Sequence, residues 1–378
     1  MAALDEEQTL IRDQAKAWAS EQAPVQEFRA MRDSGVEAGF DAAIWTEIVG
    51  LGWPGMIVPE QYGGAGLSYL TFGLVLEEIG RQLTASPLVA SALVGAGAII
   101  EVGSDEQKQT VLPHIADGSA IVTLAIDEGP RHDPVGTALS AELGPVGFTL
   151  NGAKTFVLEG MSATSFVVAA RTSGQPGETQ GISMFLVPAD APGLSRTRLV
   201  AVDSRGYANL AFEGVEVPES ALMGSLDEGY AALEIILDKA RAGIAAEMLG
   251  TASQAFDMAL EYLKTRVQFG QVIGSFQALG HRAADLFTEM ELARSCMEGA
   301  LQAIDADADD AAQMVSLSKC RTGEFLHHMS NQLIQIHGGI GMTDEFDAGF
   351  YLKRARVLEN LLGNQAFHRD RFSRLVGF

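Results

Sequence analysis

Residues 240–270 read ARAGIAAEMLGTASQAFDMALEYLKTRVQFG, and this stretch decides the fold of the chain. At about 100° per residue it forms a helix whose apolar side carries Glu247 at its centre. A carboxylate buried among apolar residues finds a donor, takes up a proton, or faces a cavity that holds a ligand. The small residues on the same helix favour a cavity, and they are Ala240, Gly243, Gly250 and Thr251. We therefore predict a ligand site at Glu247; the alternative is a hydrogen bond from another helix.

The composition describes a large chain with a strongly acidic balance. Its 378 residues exceed the usual size of one hydrophobic core, and 47% hydrophobic residues are enough to fill two or three packed units. The net charge of −23 repels nucleic acid and anionic membranes at long range, so neither is expected as a partner. An anionic ligand must then be held by local arginines, lysines or helix N-termini.

The cysteines and the N-terminal residues indicate the cellular compartment of the protein. Cys296 and Cys320 lie in helical patterns and give neither a disulfide framework nor a cysteine metal site. The N-terminal residues are acidic where a signal peptide is basic, and the longest apolar run, 88–100, is too short to span a bilayer. We expect a cytoplasmic protein.

The period of the apolar residues changes twice along the chain. Helical spacing covers residues 1–119, short alternating β-prone runs cover 120–224, and helical spacing returns over 225–378. This order predicts an α+β fold with an N-terminal helical domain, a middle antiparallel β-barrel or sandwich, and a C-terminal helical bundle. The aspartates between residues 305 and 310 predict a solvated turn, because a calcium loop also needs a glycine and a terminal glutamate.

Motifs that define several other enzyme classes are absent from the sequence. There is no Gly-x-Ser-x-Gly elbow, no His-Glu-x-x-His, no Cys-x-x-Cys and no phosphate-binding P-loop. Gly95-Ala96-Gly97 lies in a helical run instead of after a strand, so it indicates close helix packing. A nicotinamide enzyme with a Rossmann fold is therefore disfavoured.

Five strings follow one another in the order typical of the acyl-CoA dehydrogenase family of flavoproteins, which the chain resembles over its whole length. Each string alone is weak evidence, and together they are highly specific. They are Val58–Gly66, Leu76–Arg81, Arg266–Gly270, Phe276-Gln277 and Gln335–Gly341. The resemblance implies FAD as cofactor, an acyl-CoA as substrate, and an electron-transfer flavoprotein or a similar acceptor as partner.

The resemblance also assigns residues to the cofactor, which in this family lies at a subunit interface. These residues are Arg266, Gln268, Phe269, Phe276, Gln335, Gly338, Gly339 and Phe156. The guanidinium of Arg266 would bind the pyrophosphate, and Phe156 would stack on the flavin. The glycines would let backbone from a neighbouring subunit approach the ligand, although Gly338 would equally suit a helix end. A homodimer is the smallest assembly that contains such an interface. A homotetramer, or a heterotetramer with a related subunit, would contain it as well.

Both positions at which family members carry their catalytic base lack an acid here. Leu362 occupies the place of the Glu in a Tyr-Glu-Gly-Thr string, and Ala240 that of a Glu used by a second group of members. Glu247 lies two turns past Ala240 on the same helix face, about 10 Å along the axis. We therefore predict that Glu247 is the replacement base, with Arg241 and Gly243 binding the substrate. Glu359 is the alternative base, and His337 is expected to be structural.

The middle segment departs from the family as well. Ile126–Arg131 stand where the family has a string whose hydroxyls approach the flavin, and Phe156–Gly160 stand where it has Trp-Ile-Thr-Asn-Gly. The resemblance therefore implies that hydroxyl hydrogen bonds to the flavin are lost at these two points.

Three functions follow from this pattern. The first is FAD-dependent α,β-dehydrogenation of an acyl-CoA thioester, with Glu247 removing the α-proton. Its acyl group would be bulky, branched or steroid-like, since Ala245–Gly250 resembles a bacterial subfamily that includes heteromeric steroid side-chain dehydrogenases. The second is a non-catalytic or half-site subunit of a heteromeric dehydrogenase, and the third is a flavin oxidase or monooxygenase on the same scaffold.

Overall fold

The computed structural model describes residues 4–378, which fall into two compact units. The first unit comprises the residues up to Arg29, Tyr69–Thr84 and Arg241–Phe378, and the second comprises Ala30–Ser68 and Ala85–Ala240. The predicted α+β class is confirmed, because helices precede and follow a β-sheet along the chain. The boundaries at 119/120 and 224/225 stay a prediction.

Within residues 4–378, helices come first, strands follow, and long helices return. The α-helices are α1 (Glu6–Glu21), α2 (Val25–Ser34), α3 (Ala42–Gly50), α4 (Tyr69–Arg81), α5 (Ala96–Val102), α6 (Asp105–Ala116), α7 (Gly229–Thr265), α8 (Gln277–Asp305), α9 (Ala311–His337), α10 (Ala348–Leu358) and α11 (Gln365–Leu375). The strands are β1 (Val122–Ala125), β2 (Ser140–Gly144), β3 (Gly147–Leu158), β4 (Ser165–Arg171), β5 (Ile182–Pro188), β6 (Leu194–Leu199), β7 (Tyr207–Val217), β8 (Leu222–Met223), β9 (Val267–Gln268) and β10 (Gln271–Val272).

Short polar side chains fix where several helices begin. The Ser104 hydroxyl accepts a hydrogen bond from the Gln107 amide at 3.2 Å and caps the N-terminus of α6. The Asp305 carboxylate, at the end of α8, accepts the amides of Tyr69 and Leu70 at 2.7 and 2.9 Å and so caps α4. No three metal-binding side chains cluster within residues 4–378. Residues 306–310 form the mostly exposed turn between α8 and α9 that the aspartates predict.

The second unit is built around a sheet in the order β6-β7-β3-β2-β4-β5-β8, with β1 beside β4. Most pairs are antiparallel, but β1 runs parallel to β4 and a single residue pair joins β2 to β4 in the same sense. The fully buried side chains of β4 and β5, among them Phe166 and Phe185, form its core. Burial on both faces explains why these strands are nearly continuous apolar runs.

An Asn-Gly dipeptide often marks the turn between two strands, but Asn151-Gly152 does not divide two strands here. It lies inside β3, where the pairing with β7 shifts register between Leu150 and Asn151. Gly152 has a φ of 139°, and a side chain there would meet the Leu139 backbone at 2.9 Å. The glycine thus permits a bulge and a close backbone approach.

Helix α7 is the longest element, with 37 residues and a length of about 55 Å. Its residues 241–250 belong to the first unit and are all buried, which confirms the predicted central helix. Among residues 4–378, no helix combines the length and apolar character needed to cross a membrane.

Candidate flavin and acyl site

Glu247 lies within the first unit and is 4% exposed. One of its carboxylate oxygens, Oε1, accepts hydrogen bonds from Nε and Nη2 of Arg354 on α10 at 3.0 and 2.7 Å. Arg354 is itself 6% exposed, so this is a buried ion pair between two helices. The hydrogen bond from another helix, which the sequence offered as the alternative, is thus present, because a buried charge needs a partner and α10 supplies it. A ligand site at Glu247 stays a prediction, as does the role of Glu247 as a base.

The small residues beside Glu247 serve helix packing. A side chain on Gly250 would overlap the carbonyl oxygen of Glu77 on α4, and one on Gly80 would lie 2.5 Å from the Glu247 carbonyl oxygen. The Thr251 hydroxyl donates to the Gly80 carbonyl at 3.1 Å. Helix α4 thus fills the space beside Gly250 and Thr251. A cavity of about 580 Å³ in this unit is lined by α1, α4 and α8, and Glu247 is not among its lining residues.

Arg241, the predicted substrate residue, is fully buried on α7. Its Nε donates to the Leu362 carbonyl at 3.2 Å, and its guanidinium carbon lies 5.4 Å from the centre of the Phe367 ring. Gly243 is buried nearby on the same helix. These contacts assign Arg241 a structural hydrogen bond; contact of either residue with substrate stays a prediction.

Glu359, the alternative base, is also held by basic side chains. Its two carboxylate oxygens lie 3.1 Å from Nη1 of Arg356 and 3.0 Å from Nδ1 of His327. The amide of Gln365 donates to it at 3.3 Å. Both acids that the sequence offers as bases are therefore engaged by basic side chains.

The predicted pyrophosphate residue lies on a small exposed hairpin after α7. Strands β9 and β10 pair through Val267 and Gln268, and Ile273 donates its amide to the Arg266 carbonyl. The side chain of Arg266 is exposed and makes no hydrogen bond or ion pair within residues 4–378. Phe269, at the tip, is 90% exposed with a φ of 54°, and its ring lies edge-on to that of Phe276 at 6.1 Å.

The end of α9 carries the predicted glycine motif. Gln335, Gly338 and Gly339 are all exposed. Gly338 ends the helix with a φ of 63° and a ψ of −134°, and a side chain on either glycine would meet no atom within 4 Å. His337 is buried, its Nδ1 lies 2.8 Å from the Leu333 carbonyl oxygen, and its ring packs against those of Tyr262 and Phe346. Burial lowers the pKa of His337, and these contacts agree with a structural role.

In the second unit, Phe156 is half-buried with a φ of 56° and its ring stacks on that of Tyr207 at 4.5 Å. One face of the ring is thus covered, and stacking of the other on a flavin stays a prediction. The loop after β1 is tied to its own unit: Glu128 binds the buried Lys154 ammonium at 2.7 Å, and Asp127 binds His132 at 2.8 Å. Burial lowers the pKa of Lys154, and Glu128 opposes that shift.

The exposed residues of the first unit fit a ligand with phosphates and flat rings. The guanidinium of Arg266 suits a pyrophosphate, the exposed Phe269 and the half-buried Phe276 suit ring contacts, and the open backbone at Gly338 and Gly339 suits close approach. The loop at Asp127 and Glu128 presents carboxylates instead of hydroxyls, and both are already engaged. FAD therefore fits the hairpin and the glycine motif of the first unit.

Comparisons with known proteins agree with this class of site. Three family models match in order: the N-terminal domain of acyl-CoA dehydrogenase over residues 5–119, its middle domain over 131–215, and its C-terminal domain over 227–376. The chain is 33% identical to a probable acyl-CoA dehydrogenase of Bacillus subtilis, YngJ, over 82% of its own length and 83% of the relative's.

Two solved structures are similar over nearly the whole chain. One is a variant of the Tcur3481-Tcur3483 steroid ACAD, with 32% identity, a TM-score of 0.89 and 98% of each chain covered. The other is described as the electron transferring flavoprotein of Acidaminococcus fermentans, with 28% identity, a TM-score of 0.91 and 100% of each chain covered.

A flavin-dependent dehydrogenase is the class that the fold and the exposed hairpin define. The chain belongs to the acyl-CoA dehydrogenase family. It is thus an oxidoreductase with FAD as cofactor and an acyl-CoA as substrate.

Two functional candidates were not predicted from the sequence. Arg354 binds Glu247 from 107 residues away, and Lys319 is buried beneath the segment after α10. Each lies in a helical run with many other charged residues, so neither stood out. The one available signal for Lys319 was that the residues one turn before and after it on α9 are uncharged, namely Val315, Ser316, Thr322 and Gly323.

Proposed function

We propose that this chain carries out FAD-dependent α,β-dehydrogenation of an acyl-CoA whose acyl group is bulky, branched or steroid-like. The observation that carries the proposal is the replacement of both family base positions by Ala240 and Leu362, neither of which is charged. Apolar residues at these points suit a hydrocarbon acyl group. The 32% identity to a protein described as a steroid ACAD supports the same substrate class.

FAD, when bound, supplies the acceptor for the β-hydrogen and its two electrons. The chain must hold that cofactor, and Arg266, Gln268, Phe269 and Phe276 are the proposed contacts, with Gln335, Gly338 and Gly339 serving a neighbouring subunit. Phe156 is the proposed contact from the second unit. The chain must also keep water from the thioester, for which the buried apolar residues of α7 are suited.

Glu247 is the proposed acceptor of the α-proton in this chain. To act, it would have to give up its hydrogen bonds with Arg354, and protonation would leave that buried guanidinium without its anion. Such an uncompensated buried charge costs several kcal/mol, on the order of 3–5. Proton transfer to Glu247 therefore requires that the thioester enolate, or a rotation of Arg354, compensates the guanidinium.

A second candidate is favoured by the same ion pair. In it, the chain is a half-site subunit that completes the FAD site of a related subunit, and the partner brings the base. Glu247 and Glu359, both bound by arginine, would then serve structure alone. An electron-transfer flavoprotein or a similar protein is the proposed acceptor in either case.

Glu247→Gln separates the two candidates. If Glu247 is the base, the variant should retain FAD and lose its turnover of acyl-CoA, whereas a half-site subunit should keep the turnover of its complex with the related subunit. Arg354→Lys is the matched control, since it keeps the charge beside Glu247 and removes the paired donors. Full turnover by Glu247→Gln in the protein purified alone would refute Glu247 as the base.

A further inference from the structure

Three buried side chains of the first unit converge on the backbone carbonyls that follow α10. Lys319 Nζ donates to the carbonyls of Leu358 and Gly363 at 3.1 and 3.2 Å, and Arg241 Nε donates to that of Leu362 at 3.2 Å. His368 Nε2 lies 3.2 Å from the same Leu362 oxygen. Lys319 and Arg241 are 1% and 0% exposed. Burying two basic side chains so deeply costs desolvation free energy, which their hydrogen bonds to this segment offset.

The segment that they hold is strained. Leu362 has a φ of 54°, in the left-handed region that a side chain with a Cβ disfavours, and Gly363 follows with a φ of 106°. A residue persists in such a conformation only where the surrounding structure fixes it. Arg241 binds the carbonyl of the strained Leu362. Lys319 binds the carbonyls of Gly363, which follows it, and of Leu358, at the end of α10.

We propose that Lys319 and Arg241 are positioning residues that hold Leu362 in its left-handed conformation and thereby determine which acyl groups the site accepts. Lys319 comes from α9 and Arg241 from α7, so two rigid helices set the position of one loop. The step from loop conformation to acyl preference rests on the proposed function, in which Leu362 faces the acyl group.

The conformational part is tested with glycine and alanine at residue 362. Both Leu362→Ala and Leu362→Gly remove the leucine side chain beyond Cβ. Glycine alone avoids the free-energy penalty of a Cβ in the left-handed region, whereas in other backbone conformations the alanine variant should be the more stable. With Lys319 present, Leu362→Gly should be the more stable of the two in urea unfolding. With Lys319→Met added to each, the order should reverse, because the loop can then leave the left-handed region.

The reversal should amount to about a five- to thirty-fold change in the ratio of folded to unfolded protein. The proposal would be overturned if the two variants at residue 362 kept the same order of stability, and the same difference in unfolding free energy, with and without Lys319. If Lys319→Met gives no soluble protein, Lys319→Gln, which keeps N–H donors but not their reach, replaces it in the same comparison.

The functional part is tested by acyl preference. In Lys319→Met with FAD bound, the ratio of kcat/KM for butyryl-CoA to that for isobutyryl-CoA should shift about tenfold, equivalent to about 1.4 kcal/mol. A general loss of structure would lower both values together. An unchanged ratio would overturn the assignment of Leu362 to the acyl group. Absence of turnover by the wild-type protein with any acyl-CoA would instead refute the proposed function.

Discussion

Two groups of charged side chains in the first unit differ in what binds them. Glu247, Arg354, Arg241 and Lys319 are at most 6% exposed, and each has a hydrogen-bond partner within the unit. Arg266 is exposed on its hairpin and has no polar partner within residues 4–378. A buried charge must be paired by the protein itself, whereas an exposed guanidinium is available to a ligand. Glu247, the predicted base, thus belongs to the first group, and Arg266, the proposed contact of the cofactor, belongs to the second.

The largest expected effect comes from opening the buried pair. Glu247→Met or Arg354→Met alone should lower the free energy of unfolding by about 3–5 kcal/mol, because each leaves a buried charge without its partner. The double variant should lose less than either single one. Urea unfolding of all three measures this, with Arg266→Met as an exposed control expected to stay within about 0.5 kcal/mol. Additive losses would show that the pair is not coupled.

Removing the exposed guanidinium should act on the cofactor instead. Arg266→Gln should weaken FAD binding by about 1.5–3 kcal/mol, roughly ten- to a hundredfold, because a hydrogen bond to a charged group is lost. The apoprotein should unfold at the same urea concentration as the wild type. Lys264→Gln, a nearby exposed charge, is the matched control for isothermal FAD titration. Equal weakening by both variants would indicate a general charge effect.

The buried lysine predicts how stability depends on pH. Burial, and then the nearby Arg241, lower the pKa of Lys319 to about 7 from its ordinary 10.5, while Glu359 and Cys320 oppose the shift. Between these values the unfolded chain binds a proton that the folded chain does not, so stability should rise with pH. From pH 7 to 9 the gain should approach about 2 kcal/mol.

Lys319→Met isolates that contribution. Burial also raises the pKa of Cys320, which makes stability fall as pH rises above its ordinary value of 9.0, and this effect is shared by both proteins. The difference in unfolding free energy between wild type and variant should therefore widen in favour of the wild type from pH 7 to 9. A difference that is constant over this range would contradict the lowered pKa.

The smallest expected effect separates two neighbouring glycines. Gly338→Ala should destabilise the apoprotein by about 1–2 kcal/mol, because its φ of 63° penalises a Cβ, while Gly339→Ala should cost little since the space beside it is open. If backbone here approaches FAD of a neighbouring subunit, both variants should bind FAD more weakly. Thermal unfolding and FAD titration measure the two effects. An unaffected FAD affinity in Gly339→Ala would remove it from the site.

Sequence reasoning succeeded where the determining interactions are local. The Ser104 cap bonds to a residue three positions away, and the apolar run around Val167 depends on one strand's own burial. It failed where a distant segment decides the outcome. The bulge at Gly152 depends on the approach of Leu139, and strand β6 is polar and largely exposed because it lies at the sheet edge.

The candidate site shows the same division. Exposure of Arg266 and Phe269 follows from their short Gly-ended hairpin, so it depends on local sequence; their contact with FAD stays a prediction. The environment of Glu247 depends on Arg354, and no local pattern relates two residues on helices so far apart in the chain. The small residues beside Glu247 suggested a cavity because the sequence does not show that α4 crosses α7 there.

The most direct test of the proposed function is the absorption spectrum of the protein purified alone, before and after anaerobic addition of acyl-CoA thioesters. The purified protein should contain bound FAD, and at least one branched or ring-bearing acyl-CoA should bleach it faster than butyryl-CoA does. Protein that holds FAD but whose spectrum no acyl-CoA changes would contradict it.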